Sequence, residues 1–190
     1  MSSTKQARRT LILDTVIRLL ASRGLDGVTH RAIDEAAGLP QGSSTYYFPK
    51  KETLLVEASR HLAALLEKDC DELQVGFADI AARQGVDAAV DYVAGEVVSY
   101  ADSARDLFLA RMELTLAASR RPELKDVGDL LTAAARRPVE FFLRLISEGR
   151  TEMPIETCAG LIDGISLMYA TGQGPKPTTN QIAAVFRAVL

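Results

Sequence analysis

The segment from Gly24 to Lys51 constrains the fold more than any other part of the chain, because its punctuation leaves room only for two short helices and a tight turn. Thr29 is a good helix N-cap. Val28 and Ile33 occupy the two positions of a hydrophobic staple around that cap, and Gly38 suits a left-handed C-cap. These signals predict a helix of about two turns over residues 30–37. Pro40 suits the first position of a second helix, where a missing N–H costs nothing, and Pro49 stops that helix just after Tyr47. Two short helices joined by a turn near Gly38, with a longer helix before them, describe a helix-turn-helix.

That longer helix is read over residues 5–23. Ile12, Val16, Leu19 and Leu20 recur on one helical face, and Gly24 ends it. Beyond the motif a long helix begins at Lys51, carrying Leu54, Leu55, Ala58, Leu62, Leu65 and Leu66, and the Gln84–Gly85 region suggests a turn. Amphipathic segments follow at about 87–101, 104–119, 123–148 and 155–171, with a last short helix at 179–190; Pro122, Gly149, Pro154 and residues 172–177 punctuate them. Aromatic residues are only 6% of the chain and Trp is absent. That composition favours helices over sheets, and no run of alternating β-branched residues occurs. The expectation is an all-α protein: an N-terminal three-helix helix-turn-helix domain at 1–50 fused to a C-terminal helical bundle at 51–190.

The net charge of −3 would argue against a polyanionic partner if it were spread evenly. It is not. Residues 1–60 carry nine Lys/Arg against six Asp/Glu, and residues 61–190 carry thirteen against nineteen. A basic module on an acidic body directs an anionic partner to the N-terminal part. Cys70 and Cys158 are far apart and in apolar or helical contexts, so they read as buried free thiols of a reducing cytoplasm. No Cys/His cluster has metal-ligand spacing. No apolar stretch reaches the ~20 residues of a membrane span, and the N-terminal apolar stretch, broken by Asp14 and Arg18, is not read as a secretory signal. A cytoplasmic protein with no membrane partner is expected.

The second helix of the motif is the one that would read a major groove. Gln41, Ser43, Ser44 and Thr45 are polar groups able to meet base edges or phosphates. Gly42 has no side chain and permits close approach. Tyr46 and Tyr47 offer a hydroxyl for phosphate and a ring for a thymine methyl. Thr29 presents its hydroxyl and free backbone N–H groups at a helix N-terminus, and Lys51 adds a positive charge at the start of the next helix. Each has a structural alternative: the tyrosines as packing groups, Thr29 as a cap, Lys50 and Lys51 as a solvated pair. Their coincidence in the basic part of the chain favours double-stranded DNA.

The stretch from Gly24 to Leu55 resembles the DNA-binding signature of TetR-family transcriptional regulators. Gly24, Thr29, Ile33, Ala36 or Ala37, Gly38, Gly42, Tyr47, Phe48, Lys51, Glu52 and Leu54 fall in order, and with the first helix the match covers about a third of the chain. The chain departs from the pattern at Asp34, where Ala is usual, at Ser44 and Thr45, where an apolar residue and Tyr are usual, and at Lys50 in place of Ser. The departures imply an operator of its own and leave either tyrosine as the phosphate contact. The resemblance implies a homodimer that represses from a palindromic operator and is released by a small molecule in a C-terminal ligand-binding and dimerisation domain. It places the dimer contact in the last two long helices, 123–148 and 155–171. Gly160 and Gly164 would allow close approach there, and Ile155, Ile162, Ile165 and Met168 would supply the apolar face.

From His61 onward there is more helix than is needed to hold two reading heads apart, and a small apolar or amphipathic ligand is expected within residues 60–171. Tyr92, Glu96, Phe108, Arg111, Met112, Phe142 and Met168 are its candidate neighbours. Arg111 and Glu113 interrupt the apolar run from Leu107 to Ala118, and either, facing inward, would anchor a polar group. The structural alternative keeps Phe108 and Phe142 as ordinary core. No nucleophile elbow, phosphate-binding loop or metal-spaced histidine is present, so neither an enzyme nor a cofactor is expected. A helical ligand-binding protein or enzyme, and a helix-turn-helix protein acting through a protein partner, are the alternatives.

Overall fold

The computed structural model describes residues 2–146 and 154–188, and the elements assigned among these residues are all helical. In chain order they are α1 (Ser2–Arg23), a 3-10 turn (Leu25–Gly27), α2 (His30–Ala36), α3 (Ser43–Tyr47), α4 (Lys51–Gln84), α5 (Val86–Ser103), α6 (Arg105–Ala118), a second 3-10 turn (Pro122–Leu124), α7 (Lys125–Ile146), α8 (Ile155–Ala170) and α9 (Thr179–Ala188). The expected segments recur with ends shifted by a few residues. The close of the 123–148 segment, the stop at Gly149 and the last two residues of the 179–190 segment lie outside the described residues.

The chain forms two compact units, Met1–Leu65 with Asp106–Thr132, and Leu66–Arg105 with Ala133–Leu190. α4 and α7 therefore each contribute to both, and the chain does not divide into compact units at residue 50.

In the first unit, α1 buries the face that its spacing announces: Ile12, Val16, Leu19 and Leu20 are all inside. Val28 and Ile33, the staple pair, are buried with Phe48 and with Leu54, Leu55, Ala58 and Leu62 of α4. Polar contacts tie α1 to α4. Arg9 pairs with Glu57 at 3.3 Å and lies 4.6 Å from the centre of the Phe48 ring, and His61 Nε2 meets Asp14 Oδ1 at 2.7 Å. From α6, Ala110 and Leu114 are buried.

The second unit has its own core, in which Phe77, Val90, Val93, Phe142, Leu143, Ile182 and Phe186 are buried together. α9 closes it by packing on α5, and Arg187 clips the two together through Asp91 at 2.8 Å. The turn after α8 is pinned by Asp102, which accepts from Tyr169 and Lys176, and by Arg105, which donates to the Ala170 carbonyl. Both cysteines are buried free thiols. Burial alone pushes the Cys158 thiol up to about 11, which suppresses the thiolate needed for reactivity.

Candidate nucleic-acid interface

The helix-turn-helix is held by local bonds that can be traced residue by residue. The Thr29 hydroxyl accepts from the Ala32 amide at 3.2 Å and caps α2. At the other end Gly38 adopts φ 64°, the Gly38 amide donates to Glu35 and the Leu39 amide to Asp34. This 6→1 and 5→2 pair is a Schellman closure. Pro40 does not open α3. It lies in the turn, and its carbonyl accepts from both the Ser43 amide and the Ser43 hydroxyl. α3 starts at Ser43 because Gly42, its N-cap, adopts φ 91°.

The cap of α3 comes from a side chain on α2. Asp34 is only 3% exposed. Its Oδ2 accepts from the Gly42 amide at 2.7 Å and its Oδ1 from the Ser44 amide at 2.8 Å. The residue that departs from the family pattern thus joins the two helices of the motif. Nothing within 4 Å would meet a Cβ on Gly42, so glycine is required there by the left-handed backbone and not by crowding within the chain. Replacing Gly42 with Ala is expected to cost about 1–2 kcal/mol, and Asn less. Thermal denaturation of the two variants checks the order.

The bonds inside the motif decide which side chains point away from it. Gln41, Thr45 and Tyr46 are exposed, Tyr46 at 75%, while Ser43 and Tyr47 are half-buried. The tyrosine rings meet edge-on, centroids 5.2 Å apart, so Tyr47 supports Tyr46. Ser44 is a correction. It is 0% exposed, and its hydroxyl lies 3.2 Å from both the His30 carbonyl and the His30 Nδ1. Buried and engaged with α2, it cannot reach a base edge. Lys51 is half-buried and donates to the Leu25 carbonyl at 3.1 Å. Glu113 of α6 takes the Leu25 amide at 2.8 Å. The peptide groups flanking Leu25 are thus gripped from two sides, and Glu113 faces this turn instead of anchoring a ligand.

The residues expected around a ligand divide between the units: Phe108, Arg111 and Met112 in the first, Tyr92, Glu96, Phe142 and Met168 in the second. Arg111 is buried with its guanidinium 5.2 Å from the Phe108 ring centre. Phe142 is core, 4.8 Å from Phe77 between ring centroids. Tyr92 is half-buried against that core, and its hydroxyl stands where a side chain on Gly76 would begin, 2.3 Å from an ideal Cβ. Burial, and secondarily Glu96, raise the Tyr92 phenol above its ordinary value. Glu96 is exposed. Met168 is a second correction: at 50% exposure it stands on the outer side of α8.

Of the α8 residues expected to join subunits, Gly160, Gly164 and Met168 face outward and the three isoleucines do not. Ile155, Ile162 and Ile165 pack against the core of their own unit. The outward stripe is Gly160, Leu161, Gly164, Leu167 and Met168, with open space over both glycines.

Two family models match the sequence. "Bacterial regulatory proteins, tetR family" covers residues 12–58, and "Tetracyclin repressor-like, C-terminal domain" covers 84–190, more than half of the chain. The chain belongs to the TetR family. Among curated relatives, the HTH-type transcriptional regulator BetI of Brucella suis biovar 1 (strain 1330) is 25% identical over 182 residues, 94% of this chain and 87% of that protein. The HTH-type transcriptional repressor KstR2 of Rhodococcus jostii (strain RHA1) is 42% identical over 59 residues, 31% of this chain and 29% of that protein. The crystal structure of the multidrug binding protein EbrR complexed with ethidium superposes with a TM-score of 0.65 at 24% identity over 96% of this chain and 98% of that one, a likeness of fold. This TetR-family protein is a DNA-binding transcriptional regulator, and its helix-turn-helix is the α2–α3 pair. Among the described residues no helix is long and apolar enough to cross a membrane.

Proposed function

We propose that the protein is a repressor that binds a palindromic operator as a homodimer and leaves it when a small apolar or amphipathic molecule binds the C-terminal part. One observation carries the DNA half of this reading. The side chains of Gln41, in the turn before α3, and of Thr45 and Tyr46, on α3, are exposed, while the inward side of that helix is fixed by Asp34 and Ser44. Gln41 and Thr45 would read bases in the major groove; Ser43, Tyr46, Tyr47 and the capping Thr29 would fix the register on phosphates. The repressor assignment draws support from the likeness to the transcriptional repressor KstR2.

A short reading helix touches few base pairs, so two copies are needed for tight binding, about 34–36 Å apart or a multiple of it. The outward stripe on α8 supports a two-fold contact, because its glycines let a second helix approach and its Leu161, Leu167 and Met168 are 39–50% exposed. For the ligand, the aromatic interior of the second unit around Phe142 and Tyr92 offers apolar contacts and a phenol. The same fold holds ethidium in EbrR.

A gel shift with the DNA upstream of its own gene tests the first half. A sequence-selective complex with the mass of a dimer on DNA is expected; failure to discriminate that DNA from a scrambled duplex would remove the repressor reading. Calorimetry tests the second half, because linkage requires operator to weaken ligand binding by the factor with which the ligand weakens operator binding. A compound bound equally well with and without operator is no inducer.

A further inference from the structure

We propose that Arg31 and Lys50 are the cationic phosphate contacts beside the reading helix, and that Lys51, the lysine of the family signature, is a positioning residue. The inference rests on the DNA reading above. It starts from how the cations are distributed. Among the described residues, each Lys and Arg of the second unit is engaged: Arg105 by the Ala170 carbonyl, the others by carboxylates such as Asp71, Asp91 and Asp102. These pairs cancel their own charge. The first unit is different. The side chains of Lys5 and Arg8 in the early turns of α1, of Arg31 and Lys50 beside α3, and of three arginines near the ends of α1 and α6 make no hydrogen bond or ion pair.

Arg31 and Lys50 are singled out by position. Arg31 follows His30, whose ring and carbonyl meet the Ser44 hydroxyl at 3.2 Å, so the first turn of α2 lies against α3. Lys50 comes just after α3, and its carbonyl accepts the Leu54 amide in the first turn of α4. Both are exposed, and the nearby carboxylates of Glu35 and Glu52 form no ion pair with them. Unpaired positive charge thus brackets Gln41, Thr45 and Tyr46. An exposed, unpaired cation meets a phosphate without first breaking a bond. Lys51 is placed otherwise: half-buried, its ammonium donates to the Leu25 carbonyl next to the amide taken by Glu113. Its position holds the turn between α1 and α2.

The test is the salt dependence of operator affinity, which counts phosphates neutralised and is separate from stability. The probe is a duplex selected from a random-sequence library by the wild-type full-length protein, titrated over a series of KCl concentrations. Each cation–phosphate contact contributes ~0.9 to the slope of log K against log salt, so two copies per dimer contribute about 1.8. Arg31→Gln and Lys50→Gln are each expected to flatten the slope by about that amount with an unchanged melting temperature. Lys51→Gln is expected to lower the melting temperature and leave the slope alone. Arg120→Gln, which removes an unpaired cation in the connection after α6, is expected to change neither. Unchanged slopes for both Arg31→Gln and Lys50→Gln would overturn the assignment, as would a slope lost with Lys51→Gln. A wild-type protein that selects no duplex and shows no salt-dependent binding removes the DNA reading, and this assignment with it.

Discussion

Replacing Asp34 with alanine is expected to destabilise the protein by about 2–4 kcal/mol and to weaken operator binding by at least about 100-fold. The carboxylate is buried and accepts from two backbone amides, those of Gly42 and Ser44. Hydrogen bonds to a charged group contribute ~1.5–3 kcal/mol each, and a buried donor left without a partner costs ~1–3 kcal/mol. The exposed Gly42 amide recovers a bond to water, whereas Ser44 is shut away from it. α3 has only five residues, far fewer than an isolated helix needs to persist in water. Its geometry is therefore imposed by what holds its ends, and loss of the Asp34 bonds loses the alignment of Gln41, Thr45 and Tyr46 together. Asp34→Asn keeps an acceptor oxygen and is expected to recover part of both quantities. Chemical denaturation and operator titration of the two variants check this; an Asp34→Ala protein as stable as wild type would refute it.

Leu161→Glu is expected to convert the proposed dimer into monomers at micromolar concentration and to lower operator affinity by about 100- to 10,000-fold, the range over which linking two binding modules multiplies affinity. Leu161 is 47% exposed on the outward stripe of α8, beside two glycines with open space above them. At a two-fold contact the same patch meets itself, so one substitution brings two carboxylates into an apolar interface without cost to the fold of either subunit. Ile165→Glu provides the contrast. Ile165 packs on the core of its own unit, so that substitution is expected to unfold the protein instead of dissociating it. Sedimentation velocity and circular dichroism separate the outcomes. Leu161→Glu that still sediments as a dimer moves the subunit contact away from this face.

Several features of the reading site were legible in the sequence because they depend on neighbours in the chain. Thr29 as a cap, the Val28–Ile33 staple, the left-handed Gly38 and the stop after Tyr47 are set by backbone geometry over a few residues. The buried face of α1 follows from spacing alone, since residues three, four and seven apart share a side of a helix wherever that helix is placed. What periodicity cannot give is which of two apolar sides meets the core. α8 carries an isoleucine side and a leucine–methionine side, and only packing against Val90, Phe142 and their neighbours turned the isoleucines inward and left Leu161 and Met168 outside.

The sequence by itself determined the helical class, most of the breaks and the end of the reading helix after Tyr47, though not its start at Ser43, because these follow from local backbone preference and a short-range pattern. The tertiary structure decided which polar groups are spent holding the fold and which remain free. Asp34 and Ser44 are consumed between α2 and α3, and Lys51 and Glu113 at the Leu25 turn, while Arg31 and Lys50 are left without partners. The reason is physical: a buried donor or acceptor must find a partner wherever the chain brings one. The partners here stand from 8 to 88 residues apart, a separation at which no local signal marks them.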